Sequence, residues 1–440
     1  MTARAASEIF GESETLALYL SVEVALARAQ AEVGLIPEDA ARVIEQRALL
    51  DAVDVARVRD AARSTGYAVA PLVRQLTQAC GEAGRFVHWG ATTQDIVNTA
   101  LSLQLDEALK GVLSRTERLA GALARLVQAH RSSVMPARTF GSHALPITFG
   151  FKAAVWLAAV LRHVRRTRAA VEHGMPGEFA GAAGTLASLH EQGLAVRSVL
   201  MRRLRLREPT ITWSGMRDEV FERMALVVGL TNTVAKIAQD IADLASTEIA
   251  EVAEPDAGGK DTSSTLPLKA NPIRCAHIAA AAALVAQGST SVLIAGRQHQ
   301  ERSGEGLLEL QVIGPAFIAT ERCLDGAVSL LEGLQVFPAR MRRNLDATRG
   351  LVLGERFMMA LAPHVGRLHA HDLVHEACQV ALEREVHLVT ALAQMPAVTR
   401  ILAPSELESL GDPRSYLGST DAMCEAVLRE ARSTLEDAYA

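Results

Sequence analysis

Cysteine is sparse and scattered: Cys80, Cys275, Cys323, Cys378 and Cys424 form an odd set with no close pair. That excludes a disulfide framework or a zinc knuckle and points to a reducing compartment. Neither sign of charge dominates. Forty-five Lys and Arg against fifty Asp and Glu leave a formal net charge of −5, so no broadly basic surface for nucleic acid is expected. The opening residues MTARAASEIFGESETL hold no apolar core of a signal peptide. The longest apolar stretches, such as 278–287, fall well short of the roughly 20 residues that span a bilayer. The expectation is a cytoplasmic chain with no membrane partner. Also missing are HExxH, Cys-x-x-Cys, an EF-hand loop, GxxxxGK[ST] and a GxSxG elbow. Neither a metal nor a cofactor is therefore expected.

What is present favours helix. Aromatics make up 4% of the 440 residues while Ala, Leu and Val dominate, and helix interiors accept Ala and Leu at little entropic cost. At 49% apolar and 22% charged the chain is globular, and it is longer than one compact domain usually runs. No proline interrupts Ile96 to His130, where Leu105, Val112, Leu119 and Leu126 recur every seven residues, joined by Leu109 and Leu123. A second seam, Val227, Leu230, Val234, Ile237, Ile241 and Leu244, alternates three and four. Such a period belongs to helices packed side by side along their length. The next seam positions are Glu248 and Glu251; the stripe turns acidic with the helix expected to run on, so it has reached either solvent or a polar site.

Elsewhere Leu16–Gly34 and the stretch from Pro37 to Leu50 read as short helices, 80–90 as a glycine-punctuated loop, and 341–350 as mixed and polar. Arg356–Leu382 and Asp421–Ala440 read as helices, and no alternating strand pattern is found. The fold class is all-α. A helical piece over 1–91 is followed by a long-helix bundle over 92–345 with a loop at 254–272, then by a helical piece over 346–440.

Three segments carry candidate chemistry. The first is Glu254-Pro-Asp-Ala-Gly-Gly-Lys-Asp-Thr-Ser-Ser-Thr-Leu-Pro-Leu-Lys-Ala-Asn-Pro272, long for a loop between two helices and rich in Gly, Pro and Ser. Its hydroxyls at Ser263 and Ser264, with Lys269 and Asn271 just ahead of a helix N-terminus, suit a carboxylate or phosphate cradle; the bland alternative is a surface linker. The second is His88-Trp-Gly-Ala-Thr-Thr-Gln-Asp95, where Thr92 and Thr93 stand at N-cap positions and either cap the helix or hold an anion. His88, taken alone, reads as structural. The third is the proline-broken stretch Arg138-Thr-Phe-Gly-Ser-His-Ala-Leu-Pro-Ile-Thr148, in which His143 titrates in the range useful for acid or base catalysis.

Together these segments resemble the fumarase/aspartase superfamily, which includes the argininosuccinate and adenylosuccinate lyases. Its signature loop GSSxMPxKxNP is matched in order and spacing by Thr262-Ser-Ser-Thr-Leu-Pro-Leu-Lys-Ala-Asn-Pro272, and the other two segments match its other regions in the same chain order. Gly181-Ala-Ala-Gly-Thr-Leu-Ala187, Lys236–Ile241 and Thr247–Glu251 look like family stretches too, so the likeness runs from about residue 8 to 430. Within the superfamily the chain is most similar to the 3-carboxy-cis,cis-muconate cycloisomerases: it has His-Trp-Gly-Ala-Thr, the ending Asp412-Pro-Arg-Ser-Tyr-Leu-Gly418, and aromatic Phe140 where the lyases carry histidine. It departs from the family pattern at Thr262, Leu266, Leu268 and Asn98, and Leu268 makes one wall of the pocket less polar.

The resemblance implies a long central helical bundle flanked by two smaller domains, and a homotetramer whose sites are each built from three subunits. On that view a single chain would leave much of the aliphatic seams exposed. It implies a small polycarboxylate substrate and addition or elimination next to a carboxylate, through an aci-carboxylate intermediate. Ser263 is then the acid/base at carbon. Lys269 and Asn271 bind the carboxylate that takes up charge, Thr92 and Thr93 a second one, and His88 joins the binding set. His143 binds or protonates the other end, Arg302 is a weaker member, and Glu251 orients the histidine or is structural, with the structural role favoured. The competing readings are a C–N lyase releasing fumarate from a succinyl-amine, and a relative that has lost catalysis.

Overall fold

The computed structural model describes residues 4–255, 271–297 and 306–436. Helix runs where the periodicity predicts it. We label α1 (Glu12–Glu32), α2 (Thr93–Ala129), α3 (Phe149–His173), α4 (Asp218–Leu244), α5 (Ile273–Ala295) and α6 (Gly306–Glu332). The α2 and α4 seams are buried at every position from Leu105 to Leu126 and from Val227 to Leu244. This corrects the expectation that a lone chain leaves them open: neighbouring segments of the same chain cover them. Apolar surface lies instead on α5, where Leu284 (60% exposed), Leu293 and Ile294 face outward.

Helix α5 also corrects the reading of short apolar runs. It is 23 residues long and holds an 18-residue window of mean hydropathy 1.7, long and apolar enough to cross a membrane by length and composition alone. Alanine fills the gaps between its larger apolar residues. A core helix passes the same test, and Cys275, Ile278, Val285 and Val292 on its other side are buried in the fold.

By contacts the chain divides into two units. One comprises 1–116, 163–234 and 278–325; the other comprises 117–162, 235–277 and 326–440. In the first, α1 packs with the helices Glu38–Arg47 and Val69–Ala79 around Leu16, Leu20, Ile44, Leu72 and Ile96. In the second, the helices Gly354–Val365 and Arg367–Glu383, parted at Gly366, bury Phe357, Leu361, Ala370 and Val374. Residues 341–350, read as mixed and polar, contribute to a helix, Pro338–Asp346 (α7). Within 80–90, Gly81–Phe86 forms a 3-10 turn.

The chain is not wholly without strands. Val134–Thr139 (β1) and Ser142–Thr148 (β2) form an antiparallel hairpin, and Val252–Ala253 (β3) pairs with Gln335–Val336 (β4). Pro136 and Pro146 face each other in the hairpin, and the register slips between Pro136 and Arg138, which hides the pattern from a search for alternation. Its two-residue turn puts Phe140 at φ 51 and Gly141 at φ 82, the left-handed pair that suits strand twist. Helix α4 ends at Leu244, so the acidic seam positions lie beyond it rather than on it. The chain turns back through Ala250 at φ 51, and the Glu251 N–H donates to the Leu244 carbonyl at 2.9 Å. Both readings of the stripe are met, one at each residue: Glu248 is exposed and Glu251 fully buried.

Candidate active site

In the first unit the site is the loop that leads into α2. Asp95 is buried and organises it: its carboxylate accepts from the Thr92 N–H (2.9 Å), the Ala180 N–H (3.0 Å) and the Gly181 N–H (3.1 Å). The loop is thereby tied to the glycine-rich stretch 181–187. Burial pushes the Asp95 carboxyl up, and the three N–H groups oppose that. The Thr92 and Thr93 hydroxyls make no hydrogen bond among the described residues. Both side chains are half-buried, so two hydroxyls stay available for a ligand.

His88 stands at φ 58, its Nδ1 2.6 Å from Glu23 Oε1, and the Trp89 carbonyl accepts from Gln30 Nε2 at 2.6 Å. Gly90, at φ 73, is required here. A Cβ would sit 2.6 Å from Leu189 Cδ2, so Gly90→Ala is expected to cost about 1–3 kcal/mol, measurable as a fall in the urea midpoint.

A second buried cluster supports this loop from α2. Arg217 donates to Glu309 from Nε (3.1 Å) and from a terminal nitrogen (2.5 Å), reaches Asn98 Oδ1 at 3.2 Å, and lies over the Trp213 ring. Asn98, one of the departures, also accepts from Gln94 at 2.7 Å, and its own Nδ2 is buried without a partner among the described residues.

In the second unit the hairpin places Arg138 opposite His143. Glu251 is 0% exposed and takes both guanidinium nitrogens of Arg138, at 2.6 and 2.9 Å, with Asn344 Nδ2 at 2.8 Å. It therefore braces Arg138 and makes no hydrogen bond to His143 among the described residues. Burial and the neighbouring Arg138 push the His143 imidazole below its ordinary 6.5, against an opposing pull from Glu251. The ring is thus neutral at pH 7 and offers a hydrogen bond rather than a charge. We expect an NMR titration midpoint for His143 below 6.5. With the folded value depressed, its contribution to stability is present above about 6.5 and lost as pH falls through the folded value.

Beside the hairpin opens a cavity of about 500 Å³ walled by Arg138, Gly141, Lys152, Asp240 and Ser246. Asp240 is engaged by the Trp156 indole N–H (2.9 Å) and by Lys236, whereas no hydrogen bond or ion pair of Lys152 is found among the described residues. Burial pushes the Lys152 ammonium down.

The cradle expected at the start of α5 is only partly open. Glu254 accepts from the Arg274 N–H (3.1 Å) and the Cys275 N–H (2.9 Å), so the protein's own carboxylate fills the first-turn donors. Asn271 stands half-buried just before that turn. Ser263, Lys269 and Arg302 lie outside the described residues. Sequence reasoning missed Glu23, Lys152 and Glu254, and it left Thr92 and Thr93 open between capping and anion binding without seeing that Asp95 accepts the Thr92 N–H. The spacing Thr92-x-x-Asp95 is a capping-box signal for Asp95, and Glu23 interrupts an apolar stripe; nothing local marks Glu254.

A family profile described as Lyase matches residues 1–287, and one described as Adenylosuccinate lyase C-terminus matches residues 350–427. The chain belongs to the fumarase/aspartase superfamily of lyases. It is 38% identical over 436 residues to a 3-carboxy-cis,cis-muconate cycloisomerase of Acinetobacter baylyi, covering 98% of this chain and 97% of that one. To trans-aconitate decarboxylase 1 of Mycosarcoma maydis it is 38% identical over 429 residues, covering 97% and 87%. A solved 3-carboxy-cis,cis-muconate lactonizing enzyme from Pseudomonas putida matches with a TM-score of 0.92 at 35% identity, covering 98% and 97%. This superfamily lyase is an enzyme of helical fold, as its residues imply. The Thr92 and Thr93 hydroxyls, unbonded among the described residues, the Glu23-held His88 and His143 all fall in the segments that matched the family pattern.

Proposed function

We propose that this lyase is a 3-carboxy-cis,cis-muconate cycloisomerase. The observation that carries the reading is full-length likeness to cycloisomerases of that name in both sequence and fold, at 38% identity and a TM-score of 0.92. In the forward direction a carboxylate oxygen of the substrate adds to the far carbon of a double bond. Negative charge passes to the neighbouring carbon and into its carboxylate, and the Ser263 hydroxyl delivers a proton to that carbon. Lys269 and Asn271 hold the carboxylate that gathers charge, where fixed donors act most strongly. Thr92, Thr93 and His88 hold a second carboxylate, Arg302 assists, and His143 hydrogen-bonds the remaining end.

The enzyme works as a cytoplasmic homotetramer in which these groups come from different subunits. In support, α5 presents Leu284, Leu293 and Ile294 outward, a face that a second copy would cover. Consumption of carboxymuconate, followed by loss of its ultraviolet absorbance, tests the reading; adenylosuccinate is run beside it with fumarate release as the readout. No turnover of carboxymuconate overturns the assignment. Fumarate release would instead favour the C–N lyase alternative, to which the Adenylosuccinate lyase C-terminus match over 350–427 lends weight.

A further inference from the structure

We propose that Glu23 is a positioning residue for His88: it holds the ring with Nδ1–H turned inward and Nε2–H presented to a carboxylate of the substrate. The inference rests on the reading of His88 as a substrate-binding residue and adds the group that sets its orientation.

Glu23 lies in the apolar stripe of α1, between Tyr19, Leu20 and Leu26, and is 2% exposed. A carboxylate is costly to bury there without a partner. Its partner is the ring of His88, with 2.6 Å between Glu23 Oε1 and His88 Nδ1. Its second oxygen, Oε2, is buried with no partner among the described residues. Two turns along the same face, Gln30 grips the next residue through the Trp89 carbonyl. Consecutive loop residues are thus held by polar groups from one helix, and this grip sustains the positive φ of His88, a conformation disfavoured for a side chain of its kind.

The far nitrogen makes the arrangement directional. His88 Nε2 has no hydrogen bond among the described residues, and the side chain is 20% exposed. With one nitrogen clamped by a buried carboxylate, the ring direction is set, as when an acid orients a catalytic or metal-bound histidine, and the far nitrogen of the protonated ring is left as a donor. Electrostatics act in the same sense. Burial pulls the imidazole down, but the Glu23 hydrogen bond and charge, with Asp95 behind them, outweigh it and leave His88 raised above 6.5. Glu23 from α1 and Asp95 from α2 are the charged groups that act on the ring, and both are acidic. The loop therefore turns toward an anionic ligand a ring that holds its proton to higher pH.

The test uses the full-length enzyme and its Glu23→Gln, His88→Asn and doubly substituted variants. Activity on carboxymuconate is read as kcat and KM against pH, binding of the unreactive tricarboxylate tricarballylate by calorimetry, and the His88 ring by NMR titration. Glu23→Gln should lower kcat/KM about 10–100-fold, chiefly through KM, and shift the high-pH limb and the His88 midpoint to lower pH. Added to His88→Asn, it should change little further, because the two act as one unit. Glu23→Asp, which keeps the charge and shortens the reach, should recover part of the loss; it also serves if Glu23→Gln fails to fold. Losses that multiply in the double variant, or an unmoved pH limb and His88 midpoint, overturn the proposal and leave Glu23 as a mere tie between α1 and the loop. If the unsubstituted enzyme neither turns over carboxymuconate nor binds tricarballylate, the functional reading falls. The His88 midpoint then still decides for or against the clamp.

Discussion

Ser263→Ala is expected to lower kcat on carboxymuconate by about 10²–10⁴-fold while leaving KM within a few-fold, the pattern of a lost proton transfer rather than lost binding. The asymmetry follows from the division of labour. On the proposed reading, Thr92 and Thr93 hold a carboxylate in both ground and transition states, whereas the seryl hydroxyl acts only as the carbon–hydrogen bond forms or breaks. Single-turnover kinetics isolate that step from product release. Ser264→Ala is the matched control, and a larger loss there than at Ser263 would move the proton to the neighbouring hydroxyl. Thr92→Val should do the reverse, raising KM with kcat little changed.

Arg217→Met is expected to be the most destabilising single change among the residues named above, at about 3–5 kcal/mol. Arg217 and Glu309 are 3% and 2% exposed at their side chains, and Glu309 has no other hydrogen-bond partner among the described residues. Removing the guanidinium strands a carboxylate in the interior and leaves Asn98 Oδ1 with Gln94 alone. Replacing both members, as Arg217→Met with Glu309→Leu, should recover most of the loss, because an apolar pair needs no charge compensation. Urea denaturation of the three proteins decides it, and a double variant as weak as the single one would place the cost in packing around Trp213 instead.

Much of the fold and part of the site are legible in the order of residues alone. The seams of α2 and α4 announce long helices because a 3.5-residue period has few other meanings, and three motifs in fixed order identify the superfamily. What stays hidden has physical reasons. The β1–β2 hairpin carries prolines and a register slip, so its alternation is broken. The end of α4 depends on Ala250 adopting a left-handed conformation, which alanine does not advertise. Glu254 reaches its helix across a long intervening segment, and side-chain caps of that kind leave no local spacing to find. Glu23 and Gln30 stand in plain view, polar residues in an apolar stripe. The same signal is easier to read at Glu251, because there it sits beside the signature loop.

The two contact units have a consequence for how the chain is made. Each is assembled from three separated stretches, and the first needs residues as late as 278–325. A ribosome must therefore deliver about three-quarters of the polypeptide before that unit can close, with its earlier helices waiting for partners not yet synthesised. No single cut yields two self-sufficient fragments, so paired fragments co-expressed in one cell should gain structure only by reassociating, and each alone should be cleared by proteases.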